Sequence, residues 1–158
     1  MVRSVVETPE LVVIPKEKAV FWLDRQGRWH NRHGRFEHKK IINYFHSCIR
    51  KDVQGYHLYQ HHGRRIEKVY FPYEDTALFV WAVSLKEPIT LALNTGRSVF
   101  LKPDCLFEKN DALYVNLDGE TAKFAEHALI QISSLLLEGE QGLSIRMAGR
   151  TYPIRGCS

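Results

Sequence analysis

Apolar and polar positions alternate with a period of two in short runs over most of the chain, and the period becomes helical in two places. From Ala19 the runs AVFWLD and RWHN predict a hairpin through Arg25-Gln26-Gly27, and a turn at Arg32-His33-Gly34 leads into a helix over residues 36–50. Phe36, Ile41, Ile42, Phe45 and Ile49 make its apolar stripe, with Lys39, Lys40 and Asn43 on the other face. Gly55 ends this stretch, and YHLY opens a hairpin that turns at His61-His62-Gly63. Residues 66–103 then read as an antiparallel meander of IEKVYF, ALFVWAVSL, ITLALN and SVFL. The ALFVWAVSL run is almost continuously apolar, which predicts a central strand and puts Phe79 and Trp81 in the core rather than at a binding surface. CLFE and ALYVNL pair through Lys109-Asn110-Asp111. A second helix is expected over residues 122–138, with Asp118 or Thr121 as N-cap and Phe124, Ala128, Leu129, Ile132, Leu135 and Leu136 as its stripe. LSIRM and TYPI close a last hairpin at Ala148-Gly149.

The two helix-bearing stretches read as one unit repeated. Trp29 falls on Tyr114 and Gly34 on Gly119, both at an offset of 85. After two further residues, Ile41, Ile42, Phe45 and Ile49 fall on Ala128, Leu129, Ile132 and Leu136, and Gly55 on Gly142. Helical and extended periods are segregated rather than alternating, so the expected class is α+β with antiparallel sheets and two helices. The expected organisation is an extended lead-in over residues 1–15, a first unit over 16–65, and the meander with the second unit over 66–158, joined in one compact body.

Charge distinguishes the two units. Residues 16–70 carry thirteen Lys/Arg against five Asp/Glu, a net of +8, whereas residues 71–158 carry eight against eleven, a net of −3. Seven of the eight histidines also lie in the basic half. No apolar run approaches the ~20 residues of a membrane span. The N-terminus lacks the order of a signal peptide, and Cys48, Cys105 and Cys157 form no CxxC pair, so a cytoplasmic protein is expected. Cys48 reads as a small buried hydrophobe and Cys157 as part of a frayed tail.

No nucleophile elbow, phosphate loop or dinucleotide fingerprint is present, and nothing calls for a cofactor. The histidines lack the local spacing of a zinc site. Glu74-Asp75 reads as turn chemistry, with Asp75 bonding its own backbone.

The first unit resembles a bacterial family known as domain of unknown function 1285. The resemblance is carried by Arg25-x-Gly27-x-Trp29, by Gly34 ahead of a helix with Phe45 and Ile49-Arg50, by Gly55-Tyr56-x-Leu58, by Glu67-Lys68, and by the run from Tyr73 to Phe79. It is best over residues 20–79. The family's threonine–proline before the Glu-Lys pair is replaced here by residues 61–65, which marks a divergent branch. The resemblance implies a compact bacterial protein of repeated hairpin and helix motifs, part of which looks like a pleckstrin-homology domain. It also implies a signalling or binding role without an established reaction.

The residues and the resemblance together point to a non-enzymatic binding or regulatory module. Its basic half would meet an anionic small ligand or an acidic protein surface through Arg28, Arg32, Lys39, Lys40, Arg64 and Arg65, with His61 and His62 beside them. The alternatives are a nucleic-acid binder and a metal-dependent enzyme using the histidine-rich half. An uncovered edge strand would also allow a homodimer.

Overall fold

A computed structural model describes residues 8–157, so the first seven residues of the expected lead-in lie outside the described residues. The remainder of that lead-in contains β1 (Glu10–Ile14), an edge strand formed by the LVVI run. Next come β2 (Phe21–Leu23), β3 (Trp29–Asn31), β4 (Gly34–Arg35) and α1 (Lys39–Ser47). After the helix lie β5 (Ile49–Asp52), β6 (Gly55–His62) and β7 (Arg65–Tyr70). A meander of β8 (Leu78–Ser84), β9 (Thr90–Leu93) and β10 (Ser98–Phe100) follows. The same order of three strands, a helix and three strands then recurs. It comprises β11 (Leu106–Lys109), β12 (Ala112–Leu117), β13 (Glu120–Phe124), α2 (Glu126–Ile132), β14 (Leu136–Gly139), β15 (Gly142–Met147) and β16 (Arg150–Pro153), before a final β17 (Arg155–Cys157). The class is α+β.

The strands form four sheets: β1-β7-β6-β5, β10-β9-β8-β13-β12-β11-β17, β14-β15-β16 and β2-β3-β4. Most pairs are antiparallel. Three are parallel instead: β1 with β7, β8 with β13, and β11 with β17. Each joins segments far apart in sequence, where no short turn forces the antiparallel arrangement. The IEKVYF run also departs from the expected meander. Its strand, β7, pairs with β6 and completes the first unit's sheet, leaving β8, β9 and β10 to form the meander. Cys157 lies in β17 rather than in a frayed tail.

Both helices are shorter than the apolar spacing predicts. Asp118 and Gly119 have φ of 50° and 88°, the left-handed pair of a two-residue hairpin turn, so they join β12 to β13 and do not cap a helix. Residues 120–124 then bury Ala122 and Phe124 with a period of two and pair in parallel with β8. In the first unit, the N–H of Phe36 still bonds Trp29 O at 2.9 Å, and the helix begins only at Lys39. Its buried face is rotated by one residue from the expected stripe. Ile41 is 45% exposed, and His46 takes an inward place beside Ile42 and Phe45.

Buried residues of both units and the meander form one contiguous cluster, including Leu58 and Phe71, Phe79 and Leu91, and Leu106, Ile132 and Ile145. Each such side chain contributes about 1.5–3 kcal/mol by leaving water, and here that contribution ties the units together. Among the described residues, no helix is long and apolar enough to cross a membrane.

Candidate functional site

A cleft of about 860 Å³ lies where the β2–β3 turn, α1, β8 and the start of α2 meet. The β2–β3 turn and β8 shape it. The β2–β3 turn is fixed by Asp24, whose Oδ1 accepts the N–H groups of Gln26 and Arg28 at 2.8 and 2.9 Å. Its Oδ2 accepts from His30 Nε2 at 2.7 Å. Burial acts to raise the Asp24 pKa, but these hydrogen bonds outweigh it and hold the carboxyl below its ordinary value. At the tip of the turn, Gly27 has φ of 82° and lies against Phe79 and Trp81, where a Cβ would stand only 3.2 Å from ring atoms. The second element is β8, whose pairing with β9 steps from Val80–Leu93 to Ala82–Ala92. Trp81 is therefore the extra residue of a β-bulge, a feature that re-aims a side chain.

The base of the cleft is aromatic and buried. Trp29, His46 and Trp81 line it, with ring centroids 5.6 Å apart for Trp29–His46 and 5.0 Å for His46–Trp81. Trp29 is 1% exposed and His46 2%. Phe36, Ile42 and Ile130 supply apolar walls, and Arg28, Arg35, Lys39, Glu37 and Glu126 stand exposed at the mouth.

The protonation of His46 is set by Asn94. The N–H of Phe79 donates to Asn94 Oδ1 at 2.9 Å, which leaves the Asn94 amide nitrogen to donate to Ala77 O at 3.2 Å and to His46 Nδ1 at 3.1 Å. Nδ1 is thus an acceptor, and the imidazole proton resides on Nε2. Burial pushes the His46 pKa down to about 4, so the ring is neutral near neutral pH. Among the described residues, neither His46 Nε2 nor Trp29 Nε1 has a hydrogen-bond partner. Both nitrogens are enclosed by protein atoms, and a buried donor left without an acceptor costs about 1–3 kcal/mol.

Of the residues expected to bind a ligand, Arg28 and Lys39 line this cleft. Arg32 lies in the β3–β4 turn with its Nε donating to His33 Nε2 at 3.2 Å, and Lys40 is exposed on α1. His61, His62, Arg64 and Arg65 belong to the far end of the β6–β7 hairpin and do not line it. His61 and His62 are still on the strand, paired with Ile66 and Arg65, and the turn is Gly63-Arg64. The other strongly basic cleft, of about 520 Å³, includes Arg50, Lys51 and Arg97. Of its two carboxylates, Glu120 accepts from Tyr56 Oη at 2.9 Å and from Arg97 at 3.4 Å. Asp75 likewise does not follow the turn reading. It accepts from Tyr114 Oη at 2.6 Å and pairs with Lys123 Nζ at 3.1 Å, in the second unit. Among the described residues, no group of three or more His, Cys, Asp or Glu side chains is placed to hold a metal ion.

Sequence reasoning passed over His46 and Asn94 and assigned Trp81 to the core rather than to a binding surface. His46 follows Ile42 by four residues, which places it on the buried face once the stripe is rotated. The bulge at Trp81 and the pairing of Asn94 with α1 depend on tertiary contacts that leave no local signal.

No family model matches the chain, and no curated protein matches it in sequence. Its fold is similar to that of a DUF1285 family protein from Silicibacter pomeroyi DSS-3, with a TM-score of 0.61 and 14% identity over 93% of this chain and 83% of that one. It is also similar to that of a DUF1285 family protein from Shewanella baltica OS155, with a TM-score of 0.53 and 16% identity over 75% of this chain and 94% of that one. At these identities the likeness is one of fold. It falls on the same family that the motifs of residues 20–79 resemble, as a divergent member would show.

Proposed function

We propose that the chain is a non-enzymatic binding module, regulatory in role, that takes a small anionic ligand in the cleft between α1, β8 and α2. The observation that carries this reading is a cleft of about 860 Å³ walled by Phe36, Ile42, Trp81 and Ile130, whose mouth holds Arg28, Arg35 and Lys39. A pre-formed, mainly apolar cavity with a few convergent polar groups is the ordinary form of a small-molecule site. The lining includes no Ser, Thr or Cys, so it offers no hydroxyl or thiol nucleophile. The proposed setting is the bacterial cytoplasm, in keeping with three free cysteines.

Thermal-shift and calorimetric titrations with benzoate and with inorganic phosphate test the reading. Binding of one or both to the wild-type protein is expected to be lost in the Arg28→Ala/Lys39→Ala double variant and kept in Arg64→Glu/Arg65→Glu. The opposite pattern would move the binding surface to the β6–β7 hairpin, and retention in both variants would overturn the reading.

A further inference from the structure

The charge and the walls of the cleft narrow the ligand class, an inference that rests on the cleft reading above. The cations come from three separate segments: Arg28 from the β2–β3 turn, Arg35 from β4 and Lys39 from the start of α1. Among the described residues, none of these three side chains has a hydrogen-bond or ion-pair partner. The other basic cleft differs, since its Arg97 already meets Glu120 at 3.4 Å. Glu37 and Glu126 stand at the same mouth as the three cations and reduce the balance to a net of +1. A phosphate ester carries roughly 1.5 to 2 negative charges near neutral pH, which exceeds that balance. A carboxylate carries one, and it also suits the paired N–H groups of an arginine.

The walls define the rest of the ligand. Ile130 is 65% exposed, and Phe36, Ile42 and Trp81 are half-buried. An inorganic anion at the mouth would leave this surface in water, whereas an apolar body laid along it removes area from water on both partners. Ile42 belongs to α1 and Ile130 to α2, so such a body touches both helices. We propose that the cleft recognises a small monocarboxylic acid with an apolar body. Its carboxylate meets Arg28, Arg35 and Lys39, and its body lies along Phe36, Ile42, Trp81 and Ile130. The cations select against uncharged analogues, and the walls select among acids, by about fourfold in affinity for each methylene covered.

Four probes separate these contributions: 4-phenylbutyrate, its uncharged counterpart 4-phenylbutyramide, acetate and inorganic phosphate, each titrated by calorimetry. The wild-type protein is expected to bind 4-phenylbutyrate about tenfold or more tightly than acetate, and more tightly than the amide or phosphate. The preference over acetate should fall by about fourfold in Ile130→Ser, a change at an exposed position that leaves the core intact. The preference over the amide should vanish in Arg28→Ala/Lys39→Ala. Acetate or phosphate binding as tightly as 4-phenylbutyrate, and lost in Arg28→Ala/Lys39→Ala, would overturn the monocarboxylate inference and leave the anion reading standing. A preference over acetate that is unchanged in Ile130→Ser would do the same. Equal binding of acid and amide, kept in Arg28→Ala/Lys39→Ala, would overturn both, as would binding of none of the four at millimolar concentration.

Discussion

Asn94 donates to His46 Nδ1 at 3.1 Å, so a residue in the β9–β10 turn decides which nitrogen of a helix α1 imidazole carries the proton. The same amide accepts from Phe79 N–H and donates to Ala77 O, so Asn94 closes a buried network of three backbone or ring groups. Asn94→Ala would leave the Phe79 N–H and the Ala77 carbonyl unpaired and release the His46 ring. The expected loss is about 2–4 kcal/mol in urea unfolding. A change within about 0.5 kcal/mol of wild type, the range of ordinary surface substitutions, would show that the network is not closed as described.

Burial of His46 makes the protein acid-sensitive in a defined window. The folded pKa, about 4, lies below the ordinary histidine value of 6.5, so as pH falls from 6.5 to 4 the unfolded chain binds a proton that the folded chain does not. Stability therefore falls with falling pH across that window, by up to roughly 3 kcal/mol, and is flat with respect to this group above it. His57, also lowered by burial, acts in the same direction. Below pH 4 the carboxyl of Asp52, pushed down to about 2 chiefly by the Tyr70 hydroxyl, adds a further loss as it protonates. Denaturant unfolding at a series of pH values should show the slope between pH 6.5 and 4 reduced in His46→Phe. An unchanged slope would place the proton uptake elsewhere.

Gly27 and Gly63 both have positive φ, at 82° and 62°, but only Gly27 has ring atoms within 4 Å of where a Cβ would sit. Gly63→Ala should cost about 1–2 kcal/mol from backbone conformation alone. Gly27→Ala should cost about 1–3 kcal/mol more, because Phe79 and Trp81 must also shift. Parallel thermal melts of the two variants measure the difference, and equal losses would mean that the turn is free to move off the rings.

Tyr114 falls opposite Trp29 in the internal alignment, yet its polar tip has a partner. Its hydroxyl donates to Asp75 at 2.6 Å, and burial together with that bond pushes its pKa up to about 12. Tyr114→Phe should lower stability by about 1–2 kcal/mol, since it strips a hydrogen bond that crosses from the second unit to the 71–77 segment. Asp75→Asn keeps an acceptor for the hydroxyl but removes the charge that Lys123 pairs with, so it should lose at least as much. The two losses measured by urea unfolding test this order.

Much of the fold could be read from period and turn chemistry. The hairpins at Asn110-Asp111 and Ala148-Gly149 lie where turn residues break the alternation, and both helices are centred on their stripes. The helix ends were not legible. ETAKF carries a helix-compatible spacing, and only its parallel pairing with β8 makes it a strand. The site was legible in part, for a related reason. Arg28 and Lys39 reveal themselves by charge, but Trp29 is a core residue and Trp81 packs against the core, and both also line the cleft. His46 was hidden because a single rotation of the stripe separates an exposed Ile41 from a buried imidazole.

The central claim, that the cleft between α1, β8 and α2 is where an anion binds, is tested most directly by the indole N–H resonances of the three tryptophans, assigned with Trp29→Phe and Trp81→Phe. On titration with benzoate or inorganic phosphate, the resonances of Trp29 and Trp81, which line the cleft, are predicted to shift. Trp22, which stacks on His30 away from the cleft lining, should stay in place. Trp29 and Trp81 resonances that both stay in place while the anion binds would contradict the account.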